Sequence, residues 1–262
     1  MGSRTTRRGL ARVVARGAAL ASVLVFATAC TSNQFIRLGM PEPVTQQAER
    51  VLNLWQGSWI AAFAVGILVW GLIIWSVIFH RKRSNELPPQ VRYNLPIEVL
   101  YTVVPFIIIA VLFYFTARDE RKLNELSKNP DVVVNVEGFQ WSWKFTYPQH
   151  DFTVVGAPVQ TDKSPKTPTL VIPTGKTVRF NLYSDDVIHS FWVPAFLFKR
   201  DVVPGHPNHF EITATEEGTY AGRCAELCGV YHDRMLFRVK IVSPQEYKNF
   251  VAKHKAAAGG AQ

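Results

Sequence analysis

The sequence lacks several features that mark common classes of protein. It has no internal repeat and no C-x-x-C-H motif, which excludes a fused cytochrome c with covalently attached haem. Its mean hydropathy of +0.04 is too low for a chain that crosses a membrane many times, whereas 48% hydrophobic residues are too many for a disordered protein. The net charge of +9 comes largely from residues 1–29, which hold five arginines and no acid. Residues 131–250 are almost neutral and contain no basic stripe. We therefore expect no nucleic-acid partner.

The first 29 residues have the layout of a secretory signal. Arginines up to Arg16 precede an apolar stretch, residues 18–26, that is too short to span a bilayer. The stretch ends in Ala-Thr-Ala-Cys, which is similar to the bacterial lipoprotein processing site, where the cysteine is acylated after cleavage. We predict removal of residues 1–29 and lipidation of Cys30. An ordinary signal peptide and a short first membrane helix are the alternatives.

Two further segments are long enough to cross a bilayer. Residues 55–79 contain no charged side chain and residues 95–116 contain one, Glu98, and each segment exceeds the roughly 20 residues that a spanning helix needs. The loop between them, residues 80–94, is basic, and positive loops stay on the cytoplasmic side. This pattern predicts a helical hairpin in a bacterial cell membrane, with residues 30–54 and everything after residue 116 on the outer face.

Beyond residue 128, the apolar residues alternate with period two, which is typical of strands. In residues 139–147, FQWSWKFTY, every odd position is aromatic and every even position polar, so we expect one strand with an apolar and a wet face. Short strands at such spacing predict an antiparallel Greek-key barrel or sandwich over residues 129–251. A linker over 117–128 precedes it, and a disordered tail over 252–262 follows. The further predicted strands are 132–136, 170–172, 177–183, 190–193, 209–213, 219–223 and 236–242.

Metal-binding side chains are concentrated in one loop. Residues 224–235, CAELCGVYHDRM, place two thiols, an imidazole and a thioether between two predicted strands. These are soft ligands that favour copper, and the Cys, His and Met set is typical of copper sites that transfer electrons. Two cysteines in one loop can bridge two copper ions, and a second histidine must then come from elsewhere. His189 is flanked by apolar aromatics and is the first candidate; His150, His206 and His209 remain rivals.

Four segments together resemble subunit II of the haem-copper cytochrome c oxidases. They are the loop CAELCGVYHDRM, the segment DVIHSFWVP over 186–194, the strand GFQWSWKF over 138–145, and the helical hairpin. The resemblance covers essentially the whole mature chain. It implies a membrane two-helix α-hairpin followed by an all-β cupredoxin-like Greek-key barrel. It also implies a dinuclear copper centre, called CuA, that accepts electrons from a c-type cytochrome and passes them to haem in subunit I, where oxygen is reduced to water and protons are pumped.

The resemblance implies roles for particular residues of this chain. The copper ligands it implies are His189, Cys224, the backbone carbonyl of Glu226, Cys228, His232 and Met235. Trp141 resembles the residue through which electrons enter, although the alternation also allows a core aromatic. Ser142 stands where the family often has tyrosine. The Glu226 side chain resembles a ligand of a magnesium ion shared with subunit I, or is a solvated acid. Glu98 resembles the carboxylate at a proton-channel mouth, or favours the helix dipole alone.

The same features bear on the alternatives. The complete ligand set disfavours a quinol oxidase subunit II, which lacks the copper ligands, and the chain has no room for the second large domain of a nitrous oxide reductase. A structural zinc site gains little from a thioether. The non-redox alternative is a membrane-anchored lipoprotein binding module in which Cys224 and Cys228 form a disulfide. The chain itself has no catalytic constellation for oxygen, so we expect it to work with other oxidase subunits.

Overall fold

The computed structural model describes residues 32–87 and 90–259. The predicted signal peptide and the predicted lipidation site, Cys30, lie outside the described residues. The chain divides into two compact units after Glu42. The described part of the first unit holds one short helix, α1 (Ser32–Ile36), followed by a turn in which the Arg37 side chain donates to the Met40 carbonyl at 3.2 Å.

The second unit begins with two long helices, α2 (Gln46–Phe79) and α3 (Leu95–Asn124). Both are long and apolar enough to cross a membrane, and their most apolar windows are not buried by the rest of the chain, which confirms the predicted hairpin. Both helices are longer than the predicted apolar spans. α2 starts at Gln46 because the Thr45 hydroxyl caps it by accepting the Ala48 N–H at 3.0 Å. α3 runs into residues 117–124, which we expected to be linker, because Arg, Glu and Lys there are good helix formers.

Ten strands follow, and they form two five-stranded sheets in the orders β3-β2-β1-β5-β8 and β4-β10-β9-β6-β7. The predicted all-β cupredoxin-like domain is confirmed. Its expected antiparallel pairing is wrong at two places, since β1 pairs with β5, and β4 with β10, in parallel. The chain leaves the first sheet after β3, forms β4 in the second sheet and then returns as β5. The strands are β1 (Val132–Phe139), β2 (Ser142–Tyr147), β3 (Phe152–Val155), β4 (Thr169–Pro173), β5 (Thr177–Ser184), β6 (His189–Val193), β7 (Phe198–Val202), β8 (Asn208–Thr213), β9 (Gly218–Cys224) and β10 (Leu236–Val242).

The core lies between the two sheets and is rich in aromatic rings. Buried and half-buried residues alternate strictly along β1 and β5, as expected for strands with one apolar face. Phe191 of the second sheet stacks on Phe237 at 4.7 Å and approaches Phe180 of the first sheet at 5.8 Å between ring centroids. Burying such rings provides much of the stabilisation of the domain. The largest fully buried side chains are Trp143, Tyr147, Phe145, Phe180, Phe196, Phe210 and Phe237.

The aromatic alternation over residues 139–147 spans a hairpin instead of one strand. β1 ends at Phe139 and β2 begins at Ser142, so Gln140 and Trp141 form the connecting turn. The turn is held by the Gln140 backbone N–H, which donates to the carboxylate of Asp186 at 2.6 Å. No glycine, proline or asparagine marks it, and a contact with a distant segment cannot be inferred from local periodicity. The turn places Trp141 at the tip of a hairpin, half-buried, and not in the middle of a strand.

A fourth helix, α4 (Pro244–Gly259), covers part of the region that we expected to be a disordered tail. Its alanines favour a helix, and Phe250 packs against Tyr147 and Phe152 with ring centroids 5.8 and 5.5 Å apart. His254 stacks on Phe152 at 4.7 Å. The expectation of disorder over 252–262 is therefore wrong for residues 252–259, and residues 260–262 lie outside the described part of the chain.

Candidate metal centre

Strand pairing brings together the two segments that carry the predicted copper ligands. β6 lies beside β9, with Phe191 opposite Cys224, so His189 at the start of β6 lies near the end of β9. Cys224 is the last residue of β9, and the loop after it runs through a 3-10 turn, His232–Arg234, to Met235 before β10. Both ends of this loop are fixed by the sheet, because the Cys224 N–H donates to the Met235 carbonyl at 3.1 Å.

All six predicted donor atoms converge at one place, five from this loop and one from His189 of β6. The Cys224 Sγ lies 3.9 Å from the Cys228 Sγ, 3.9 Å from the His189 Nδ1 and 3.2 Å from the Glu226 carbonyl oxygen. The Cys228 Sγ lies 3.5 Å from the His232 Nδ1 and 3.8 Å from the Met235 Sδ. His189, Cys224 and Cys228 alone present three ligand atoms within 4.8 Å of one another.

These separations fit a metal site and exclude a disulfide in this structure. Both cysteines are free, and their 3.9 Å separation is far beyond the roughly 2 Å of an S–S bond. Two atoms that each lie about 2.0–2.3 Å from one metal ion are roughly 3.5 Å apart in a tetrahedral arrangement. The donor set of two thiols, two imidazoles and a thioether is soft, which suits copper better than magnesium or calcium.

The centre is almost closed to water. His189 and Met235 are fully buried, and both cysteine side chains are 4% exposed, whereas His232 is half-buried. A carboxylate completes the surroundings of His189, because Asp186 Oδ1 lies 2.8 Å from its Nε2. This bond leaves Nδ1 facing Cys224, as a metal-binding imidazole requires. The Trp143 indole also donates to the Met235 carbonyl at 3.2 Å and fixes the backbone of that residue.

The ionisable groups of the centre perturb one another. Burial opposes the charged form of His189, but its interactions with Cys224 and Asp186 outweigh burial and raise its pKa. Burial also opposes ionisation of Cys224, yet the hydrogen bond with His189 lowers the pKa of that thiol to about 7. Burial and the adjacent Cys224 raise the pKa of Cys228 to about 12. Copper binding by both thiolates must therefore release a proton from Cys228.

Trp141 contacts the loop from the turn between β1 and β2. Its indole Nε1 donates to the Cys228 carbonyl at 3.1 Å, and the Gln140 side-chain amide donates to the same oxygen at 2.8 Å. Gly229 lies beneath the indole with a φ of +124°, and a Cβ atom at that position would be only 2.9 Å from Nε1. Sequence reasoning missed Gln140 and Asp186, although the position of an acid three residues before His189 was a usable signal.

The side chains of Glu226 and Glu98 were assigned the remaining predicted roles. The Glu226 carbonyl faces Cys224, but its side chain is 47% exposed and lies 3.7 Å from the Lys199 ammonium. Glu98 lies in the first turn of α3 and accepts the Asn94 backbone N–H at 2.9 Å, so it caps the helix. The rival histidines are placed elsewhere: His209 bonds Asn181, and His150 stacks on Phe152.

Comparisons with known proteins bear on both parts of the chain. Residues 132–242 match the family described as cytochrome C oxidase subunit II, periplasmic domain, and residues 33–116 match its transmembrane domain. A probable cytochrome c oxidase subunit 2 of Streptomyces avermitilis is 53% identical over 280 aligned positions, which cover 94% of this chain and 88% of that protein. Cytochrome c oxidase subunit 2 of Mycobacterium tuberculosis (strain H37Rv) is 38% identical, over 95% of this chain and 84% of that protein. The crystal structure of the periplasmic domain of subunit II of cytochrome oxidase of Bradyrhizobium japonicum covers 50% of this chain and 99% of its own, with 31% identity and a TM-score of 0.46.

Proposed function

The chain belongs to the cytochrome c oxidase subunit II family, and we propose that it holds a pair of copper ions and serves as the electron-accepting subunit of its oxidase. It is a membrane protein with two spanning helices and its C-terminal domain outside, and its family forms part of an oxidoreductase complex. The observation that carries the proposal is the convergence of two free thiols, one imidazole and a thioether from one loop with a second imidazole, His189, from strand β6.

The donor atoms divide into strong and weak ligands. Cys224 and Cys228, as thiolates, and His189 and His232, as neutral imidazoles, would hold the copper ions. The Met235 thioether and the Glu226 carbonyl would be weak ligands. Bound copper would supply a centre that gains and loses single electrons without making a bond to substrate.

The protein contributes rigidity and a dry environment. Both cysteines are held by a loop whose ends are hydrogen-bonded in the sheet, and His189 is fixed by Asp186. A rigid, buried ligand set reduces the geometric change between redox states, and a small change means a small barrier. Trp141 is the proposed point of electron entry, because it is half-exposed and its indole N–H bonds the carbonyl of a ligand residue, Cys228.

The remaining predicted roles concern partners and processing. We propose a c-type cytochrome as electron donor and haem-bearing subunit I as acceptor, within an oxidase that reduces oxygen to water and translocates protons. The Glu226 carboxylate would bind magnesium together with subunit I, for which it must part from Lys199. Glu98 would lie at the mouth of a proton channel in addition to capping α3. Mass spectrometry would detect acylation of Cys30 as an increase in the mass of the mature N-terminal peptide.

Copper content and electron spin resonance of the purified oxidase test the proposal. We expect two copper ions per chain and an unpaired electron whose hyperfine splitting comes from two equivalent nuclei. Cys228→Ser should abolish the dinuclear signal, whereas Ala225→Ser, at a half-buried loop position that offers no predicted ligand, should retain it. One copper ion per chain, or an electron localised on one nucleus, would remove the dinuclear assignment. Absence of copper after reduction of the thiols would favour the anchored binding module with a disulfide.

A further inference from the structure

Tyr231 lies next to the candidate metal centre but is neither a predicted copper ligand nor the predicted point of electron entry. It immediately precedes the ligand His232 and begins the 3-10 turn, where its carbonyl accepts the Arg234 N–H at 3.0 Å. Its ring lies edge-on to Trp141, with centroids 5.1 Å apart and an interplanar angle of 82°. The Arg234 guanidinium lies 4.8 Å from the centre of the same ring. Tyr231 is thus held between a cation and the indole.

Trp141 lies in the two-residue turn between β1 and β2 and packs, partly buried, against the core. Its indole Nε1 donates to the Cys228 carbonyl at 3.1 Å. The adjacent Ser142 side chain is buried in the domain and cannot cover the exposed part of the indole. The 39% exposed ring of Tyr231 reaches Trp141 from the copper loop itself, and edge-to-face contact is a favoured geometry of aromatic pairs.

We propose that Tyr231 is a positioning residue for electron entry: its ring holds the Trp141 indole in the orientation that bonds the Cys228 carbonyl and presents that indole to the donor. The inference rests on the proposed function of Trp141. Neither ring is oxidised in this role. The one electron that the donor haem loses is the one that the copper pair gains, and no bond or proton is exchanged.

The test compares Tyr231→Ala with Tyr231→Phe in the purified oxidase. Phenylalanine keeps the ring, so it should retain wild-type kcat/KM for the reduced c-type cytochrome, whereas alanine should lower it roughly two- to tenfold, the factor that one aromatic pair represents. Copper content and the electron spin resonance signal should be unchanged in both. Val230→Ala is the matched control, because it truncates an adjacent, 80% exposed side chain that has no ring.

A second readout follows the indole independently of turnover. With 5-fluorotryptophan in the full chain, the fluorine resonance of Trp141, assigned through Trp141→Phe, should shift or broaden in Tyr231→Ala and remain in place in Tyr231→Phe. The proposal is overturned if this resonance and kcat/KM are unchanged in Tyr231→Ala, if Tyr231→Ala loses copper, or if Val230→Ala lowers kcat/KM equally. A wild-type oxidase without copper would instead refute the proposed function, and the fluorine measurement would still report whether Tyr231 orients Trp141.

Discussion

Gly138 and Asp186 fix the orientation of the His189 ring, although neither donates an atom to the candidate copper site. A Cβ atom on Gly138 would lie 3.1 Å from the imidazole Cδ2, which is tighter than usual packing, so a larger residue would push against the ring. The Asp186 carboxylate bonds Nε2 and also accepts the Val187 and Gln140 backbone N–H groups. The ring therefore points Nδ1 at Cys224 before any metal binds.

Replacing Asp186 with asparagine should weaken copper binding. The substitution removes the charge opposite the imidazole and replaces one acceptor oxygen with a donor group, which makes His189 a poorer ligand. We expect copper affinity to fall about 10- to 100-fold, as is usual for such supporting residues, while the domain remains folded. Competition with a chelator on the purified full chain measures the change. Asp185→Asn removes the same charge from the exposed neighbour and should leave affinity near wild type; an equal loss in both variants would contradict the explanation.

Sequence information located the donor atoms but not the groups that orient them. Four ligand side chains occur in one loop, so their spacing is visible in the sequence, and the family resemblance selected His189 from its rivals. Their roles stay predictions until a metal is measured. Gln140 acts across the fold, because its bonds to Asp186 and to the Cys228 carbonyl span 46 and 88 residues. Contacts between residues so far apart in the chain produce no periodic pattern in the sequence.

Between elements, Tyr147 connects the two sheets through one hydroxyl group. The phenol belongs to β2 of the first sheet, is fully buried, and donates to the Val171 carbonyl at 2.9 Å while accepting the Val171 N–H at 2.8 Å. Val171 lies on β4, an edge strand, so one side of the β4 backbone has no neighbouring strand. The hydroxyl satisfies both groups inside the protein, where water cannot replace it. Burial raises the pKa of Tyr147 far above the ordinary range, and the hydrogen bond with Val171 offsets only part of that effect.

Tyr147→Phe should destabilise the domain without changing its shape. It leaves a buried N–H and a buried carbonyl of Val171 without a partner, at a cost of about 1–3 kcal/mol. Thermal or denaturant unfolding of the full chain in detergent measures the loss. Tyr183→Phe is the matched control, since its hydroxyl bonds Glu137 on the partly exposed outer face. If both variants unfolded at the wild-type midpoint, the hydrogen bonds of the Tyr147 hydroxyl would not contribute to the stability of the domain.

The elements that the sequence predicted best are those with a strong local pattern of apolar residues. Both spanning helices follow from the length of their apolar segments, and strands such as β10 (Leu236–Val242) follow from apolar alternation. β3 and β7 were not predicted; both are short edge strands with mostly half-exposed residues, so their pattern is weak. The helix α4 was missed because its anchoring depends on Phe250 contacting β2 and β3, which is a tertiary effect.

At the level of the whole second unit, β8 joins the barrel to both membrane helices. The Thr213 N–H donates to the Gln47 side chain of α2 at 3.0 Å, and Thr215 donates to the Val44 carbonyl just before α2 at 2.9 Å. Glu211 accepts the Ser127 N–H at 3.0 Å and so holds the segment that follows α3. These bonds attach the domain that holds the candidate centre to the start of α2 and to the segment after α3.

Glu211→Gln should loosen this connection while leaving the barrel core intact. The carboxylate is 7% exposed and also bonds the Arg179 Nε at 2.8 Å, so its loss leaves a largely buried guanidinium without its counter-charge. We expect the free energy of unfolding to fall by about 1.5–3 kcal/mol, the range for hydrogen bonds to charged groups, and proteolysis within residues 125–131 to become faster. Limited proteolysis of the full chain, with mass analysis of the fragments, measures the rate of cleavage in this segment. The control variant Glu217→Gln, on the exposed turn before β9, should be cleaved at the same rate as the wild type. Equal protection of residues 125–131 in both variants would mean that Glu211 does not secure this segment.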